Sequence, residues 1–476
     1  MANKLLIVQA AALGYDFLTR NIAEEWEGLT FRPAESVFPA VTCTVQASFR
    51  TASPPSRHGM VANGLFHRDL CRPMFWEQSA RLVRGPRIWE GFRRRGGKVA
   101  MLFWQQCLGE DVDAVLSPAP IHKHHGGMIQ DCYGQPDALY ARLCDAVGRP
   151  FNLKHYWGPM ASPKVGEWIS SAAAALLADA ELAPDLCLAY LPTLDYDPQR
   201  FGPQSAASAR SLQALLKQLA DLVHAAGEHG YEVLIFGDYA IAPVSQAALP
   251  NKALLEAGLM RARRVRQMLY PDFHTSRAFA VVDHQVAHVY VKDPSDAPPA
   301  RDVLAALPGV AEVLDRQAQA AMGLDHPNSG ELVVVAEEGR WLAYPWWDPS
   351  PWWSPKRPAP EYAGHVDIHN KPGYDPCELF FGHLPMWVSQ EHGRIRGSHG
   401  RIGPGKRIAW ATTLPLPAGI ANLIGLAAAV RDWLDGGTGF KSASRPVESP
   451  LATGESLHDP HSGIRRGEPV PPTTQV

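Results

Sequence analysis

Residues 38–64 read FPAVTCTVQASFRTASPPSRHGMVANG. Thr42 and Thr44 bracket a cysteine, a Pro-Pro pair follows, and Arg-His-Gly leads on to Asn63. Taken alone the segment has two readings. It is a solvated loop with Thr42 capping a helix, or a turn that presents Thr42 as a nucleophile at the mouth of a helix. The sequence on either side decides between them.

Upstream, KLLIV (4–8) is a short apolar run that ends at Gln9 and predicts a buried strand. Downstream, IWEGFRRRGG (88–97) predicts a helix stopped by glycine, and KVAMLFW (98–104) the next strand. GEWISSAAAALLADA (166–180) is helical, DLCLAYLP (185–192) a buried strand, SAASARSLQALLKQLADLVHAAGEHG (205–230) a long amphipathic helix, and YEVLIFGD (231–238) a strand again. This alternation predicts an α/β fold with a mostly parallel central sheet flanked by helices on both faces. Asp195 then lies just past one strand and Asp238 closes another, at the sheet edge where α/β proteins place their sites.

The chain of 476 residues is long enough for one large α/β domain with insertions. A net charge of -3 gives no pull toward nucleic acid or an anionic membrane. No run is apolar and long enough to span a bilayer. The start, MANKLLIVQAAALGYDFL, reads as a first strand rather than a leader. The cysteines are odd in number and scattered without a C-x-x-C, which predicts reduced thiols and a cytoplasmic protein. The expected organisation is a catalytic domain over 1–440 with a cap or insertion at about 105–160, a Trp/Pro-rich loop at 340–363, and a disordered tail at 441–476.

Four further motifs complete the constellation. PSRHGMVAN (55–63) has the form Pro-x-x-His-Gly-x-x-x-Asn, LDYDPQRFGP (194–203) places Asp195 and Gln199 four apart, FGDYAIAP (236–243) sets Tyr239 beside Asp238, and GSHGR (397–401) holds His399 between glycines. In this order they resemble the alkaline phosphatase superfamily, in particular its nucleotide pyrophosphatase/phosphodiesterase branch, over roughly residues 3–405. The resemblance implies an alkaline phosphatase-like fold and a phosphoryl-transfer hydrolase that forms a phospho-threonine intermediate on Thr42. It implies that Asn63 binds the phosphoryl group, and that Asp195, Asp238, His399 and the Thr42 oxygen hold divalent metal. One or two ions are expected, zinc first, with manganese or magnesium as alternatives. A metal on a threonine oxygen lowers its pKa and offsets charge on the phosphoryl oxygens, which is why the chemistry needs these residue types.

Three positions depart from the family pattern. Gln9 stands where a carboxylate is expected, and Gln199 and Tyr239 stand where histidines are expected. Amide oxygens can bind a metal but supply less charge, and a neutral tyrosine is a poor ligand. The surroundings of each substitution are intact, which favours a rebuilt site over a decayed one. GHVDIHNKPGYDP (364–376) offers His365, Asp367 and His369 at alternate positions as replacement ligands, weighed evenly against a packing role. VVDHQVAHVYV (281–291) offers His284 and His288, for which a core role is the stronger reading. IHKHHGG (121–127) reads as a solvated loop rather than a metal site, GFRRRGG (91–97) as a charged helix end rather than a phosphate site, and the Trp-rich loop as packing rather than a base-stacking surface.

The leading expectation is thus a metal-dependent hydrolase of a phosphodiester, pyrophosphate or related small phosphorylated metabolite. The alternatives are a transferase or rearrangement enzyme on a phosphorylated intermediate, and a non-catalytic phospho-ligand binder. No stable nucleic-acid or membrane partner is expected, and the sequence leaves the oligomeric state open.

Overall fold

The computed structural model describes residues 4–436 apart from 119–120, 126–127, 130, 349, 351–352, 366–368 and 384–386. The strands of its two larger sheets are, in chain order, Lys4–Ala10 (β1), Arg32–Ala34 (β2), Val99–Leu102 (β3), Ala114–Ser117 (β4), Tyr133–Gln135 (β5), Leu186–Leu191 (β6), Tyr231–Gly237 (β7), Ala278–Asp283 (β8), Val286–Val291 (β9), Val310–Leu314 (β10), Leu332–Ala336 (β11), Gly373–Tyr374 (β12) and Ile408–Thr412 (β13). The eight-stranded sheet runs β5-β4-β3-β6-β1-β7-β13-β2. Its five central strands are parallel, and β5, β13 and β2 pair antiparallel at the edges. The central strands are continuous runs of Leu, Ile, Val and Ala, as a sheet covered on both faces requires. Helices Lys164–Ala178 and Ala206–Glu228 pack on each other, and Thr42–Thr51 packs on Leu423–Leu434.

The strands and helices predicted from the apolar periodicity are present to within a few residues. The stretch 105–160 does not stand apart as a cap. It supplies β4 and β5 to the main sheet and the helix Leu139–Val147. A five-stranded sheet, β10-β11-β9-β8-β12, is built instead from residues between 278 and 374. Apart from the β8–β9 hairpin its strands are separated by loops and helices and include one of two residues, so periodicity does not reveal it. Trp341, Trp346 and Trp347 of the aromatic stretch are buried, in line with the packing reading. Met1–Gly437 forms one compact unit, and Thr438–Val476, with the expected tail, lies outside the described residues.

Two buried histidines tie the second sheet and the Pro-Pro segment into the body of the protein. His288 on β9 donates from Nε2 to the Val61 carbonyl at 3.1 Å, and its Nδ1 accepts the Gly330 N–H at 3.2 Å. His58 uses Nε2 toward Ser48 Oγ at 2.8 Å, and its Nδ1 accepts the Met60 N–H. In each ring a backbone N–H occupies the Nδ1 lone pair, so the neutral form is the one that fits. Burial is the first cause of their depressed basicity, bringing His58 to about 3 and His288 to about 4. An unfolded histidine takes up its proton near 6.5, so this stabilisation is complete above that pH and is lost as pH falls from about 6.5 toward 4. Urea midpoints measured between pH 7 and 4 are expected to fall with acidification. His288→Gln is expected to flatten that dependence by about one proton; an unchanged slope would contradict the assignment.

Candidate active site

Three neighbouring strands bring the site together. In the register of the sheet, Gln9 on β1 lies beside Tyr190 on β6 and Phe236 on β7. All three strands are parallel, so Gln9, Asp195 and Asp238 emerge at the same edge. Gly237 directs the last of these. A Cβ there would lie 2.3 Å from the Leu13 carbonyl oxygen, so only glycine lets the chain turn into Asp238 against the loop after β1.

Thr42 is the first residue of a fully buried helix, Thr42–Thr51, whose N-cap is Val41 with no capping side chain. Thr42 is therefore not the cap. The first intrahelical bond runs from Val45 N–H to the Val41 carbonyl, which leaves the amides of residues 42–44 ahead of it. Asn63 Oδ1 accepts the Cys43 N–H at 3.0 Å. The helix is clamped from the far side by Arg50, which donates to the carbonyls of Gln105 and Gln106 and pairs with Glu110 at 3.4 Å. Burial drives the Cys43 thiol up to about 12, which makes it an inert neighbour.

Thr42 and Asp195 line one narrow cleft with Trp76, Tyr156, Trp157, Tyr190, Tyr196 and Tyr374. Its aromatic wall comes from these residues and not from the Trp-rich loop. Asp195 Oδ1 accepts the Tyr239 hydroxyl at 2.6 Å and Gln199 Nε2 at 2.8 Å. Asp238 Oδ1 accepts the Ala12 and Tyr239 amides, and its Oδ2 accepts Gln9 Nε2 at 3.1 Å. Burial raises both carboxyls, Asp238 to about 8. The His399 ring lies flat against Tyr239, with centroids 3.5 Å apart and planes within 2°, and its Nδ1 bonds the Ala40 carbonyl at 2.9 Å. Burial holds His399 far below the usual histidine range. Gly400, at φ +121°, returns its carbonyl to the Ala40 N–H, so the GSHGR turn is stitched to the approach to Thr42.

His284 joins the site although a core role was the stronger sequence reading. It lies in the tight connection between β8 and β9, at φ +59°, and its ring centroid is 3.8 Å from that of His399. Its Nδ1 bonds Asp283 Oδ1 at 2.8 Å, and the same carboxylate accepts the Asn63 backbone N–H and Nδ2. Asn63 is thus engaged by Cys43 and Asp283. The polar Asp-His-Gln break inside an otherwise apolar run was the signal for this turn. A single continuous strand would have put His284 and His288 on one face, and the turn separates them.

His365 bridges to Trp387 with ring centroids 5.1 Å apart, and His369 bonds the Phe75 carbonyl at 3.2 Å beside Trp157. Asp367 lies outside the described residues. His124 and His125 of the IHKHHGG run are exposed. Among the described residues no group of three or more His, Cys, Asp or Glu side chains can surround a metal ion.

The donor chemistry explains this. A divalent ion held by Asp195 and Asp238 would compete with Tyr239 and Gln199 for Asp195 Oδ1 and with Gln9 for Asp238 Oδ2, leaving Asp195 Oδ2 as the open carboxylate oxygen. The buried acceptors beside them that lack a partner include Gln9 Oε1, Gln199 Oε1, His284 Nε2 and His399 Nε2, all on neutral side chains. The residues at positions 9, 199 and 239 do not fit the divalent-ion pair that the resemblance implies.

A family model for type I phosphodiesterase/nucleotide pyrophosphatase matches residues 11–375. Among solved structures, a phosphonoacetate hydrolase from Sinorhizobium meliloti 1021 in complex with phosphonoformate is similar at a TM-score of 0.58 and 18% identity, covering 90% of this chain and 95% of that one. Murine ectonucleotide pyrophosphatase/phosphodiesterase 5 is similar at a TM-score of 0.55 and 13% identity, covering 91% and 95%. At these identities the two structures speak for the fold, an α/β architecture with a large mixed sheet flanked by helices. The family match spans most of the chain: this protein belongs to the type I phosphodiesterase/nucleotide pyrophosphatase family of hydrolases.

Proposed function

We propose that this protein hydrolyses a small phosphodiester, pyrophosphate or related phosphorylated metabolite with Thr42 as the nucleophile. One observation carries the reading: Thr42, at the uncapped start of its helix, lines the same cleft as the Asp195 carboxylate. The solved relatives lend support. One is bound to phosphonoformate, and a Thr→Ala form of the murine protein, described as inactive, is bound to AMP.

In this reading the Thr42 hydroxyl attacks phosphorus and passes its proton to Asp195, the bond from phosphorus to the leaving oxygen breaks, and Asp195 returns the proton to that oxygen. Burial raises the Asp195 carboxyl, which makes it a better proton acceptor than a solvated aspartate. Tyr239 and Gln199 hold its other oxygen and fix its orientation. The Thr42 and Thr44 amides, which the helix leaves unbonded, are available to the developing negative charge, the Cys43 amide being held by Asn63, and water then releases the phosphoryl group from Thr42 and regenerates its hydroxyl. No step is routed through a divalent ion, because both oxygens of Asp238 and one of Asp195 are already bonded by protein donors.

A second reading, a phospho-ligand binder without turnover, is favoured by that same engagement of both carboxylates. A panel of chromogenic phosphodiesters and monoesters separates the two. Thr42→Ala is expected to lower turnover at least about a hundredfold, while Thr42→Ser keeps a measurable part of it. Mass spectrometry of quenched reactions is expected to find one added phosphoryl group on the peptide holding Thr42. Undiminished turnover in Thr42→Ala would reject the nucleophile.

The acid limb of the pH–rate profile is expected above the ordinary aspartate range. Asp195 must be ionised to take the proton, and its raised pKa moves the loss of activity to higher pH. Asp195→Asn is expected to remove that limb together with most of the turnover.

A further inference from the structure

Each of the three departures from the family pattern puts a hydrogen-bond donor onto a neighbouring carboxylate. Tyr239 and Gln199 both reach Asp195 Oδ1, and Gln9 reaches Asp238 Oδ2. Loss of ligands by drift would leave buried carboxylates without partners, which is costly. Here the partners came with the substitutions. The Tyr239 ring also fills the space beside His399, stacked on it at 3.5 Å. A histidine in its place could not carry a hydroxyl to Asp195.

We propose that Gln9, Gln199 and Tyr239 together replace the divalent ions with protein hydrogen bonds, so that this site assembles without a metal. The unpartnered acceptors on Gln9, Gln199, His284 and His399, with the one open oxygen of Asp195, do not restore an ion site. Four of the five are neutral, and an ion among them would lack the charge compensation that a full set of anionic ligands supplies. The proposal does not depend on Thr42 being the nucleophile, since it concerns what neutralises the buried carboxylates.

The test uses the full chain purified without a metal-charged resin. Elemental analysis after incubation with zinc or manganese and dialysis is expected to find less than about 0.1 ion per chain. Tm is expected to move by less than about 1 °C on adding either EDTA or zinc. A stoichiometric ion whose removal by EDTA lowers Tm would overturn the proposal, and its loss in His284→Ala or His365→Ala would show which histidine holds it.

A complementary measurement restores the family's ligands with Gln9→Asp, Gln199→His and Tyr239→His combined. This variant is expected to bind about one or two zinc ions and to gain several degrees of Tm on zinc addition. If it folds and binds none, the three positions are not what excludes the ion. Should the triple variant not fold, Tyr239→Phe provides the second readout. It keeps the ring on His399 but removes the hydroxyl, and a loss of several degrees in Tm is expected. An unchanged Tm would show that the hydroxyl is dispensable and would count against the proposal.

Discussion

Two aspartates at one edge of a parallel sheet must have their charge answered, and the rest of the site follows from how this is done. Asp195 and Asp238 follow strands that flank β1; Asp238 is fully buried, and Asp195 is partly buried at the wall of the cleft. In this chain the answer is a set of donors: a phenol, two side-chain amides, and the backbone N–H groups of Ala12 and Tyr239. Even so, burial pushes Asp238 up to about 8, so the site carries little charge for its number of acidic groups. That separates it electrostatically from a centre built around two dications.

The nucleophile helix is held from two directions. On its inner side, the Arg50 guanidinium is spread over two carbonyls and Glu110, a geometry that locks the rotation of the helix about its axis. At its entrance, Asn63 bridges the Cys43 amide to Asp283, and Asp283 in turn orients His284. A chain of contacts thus runs from the start of the helix through Asn63 and Asp283 to the paired rings of His284, His399 and Tyr239.

Much of this architecture was legible in the residues. Apolar runs such as LCLAY and EVLIF can only be buried strands, and the helices between them carry plain apolar stripes and stops. The order Thr42, Asn63, Asp195, Asp238, His399 marked the family, and the mismatches at 9, 199 and 239 marked the site as altered. Read as one continuous strand, residues 281–291 give His284 no path to the site. The polar break at Asp283–Gln285 is a turn, and the turn is what sends His284 toward His399 and His288 into the core. The five-stranded sheet is hidden because, beyond the β8–β9 hairpin, β10, β11 and the two-residue β12 join it across stretches that carry no periodic signal of that pairing.

The sequence by itself determined the sheet, the helices and the identity of the groups that gather at the strand ends, because periodicity and strand order are local or nearly local properties. Only the tertiary structure decided what those groups do to one another. Whether a glutamine turns its oxygen toward an ion or its nitrogen toward a carboxylate depends on the position of residues more than two hundred places away, as with Gln9 and Asp238. Whether a tyrosine blocks or completes a site depends on the ring stacked behind it. Buried charge admits few arrangements, and the fold selected one in which the protein supplies its own donors.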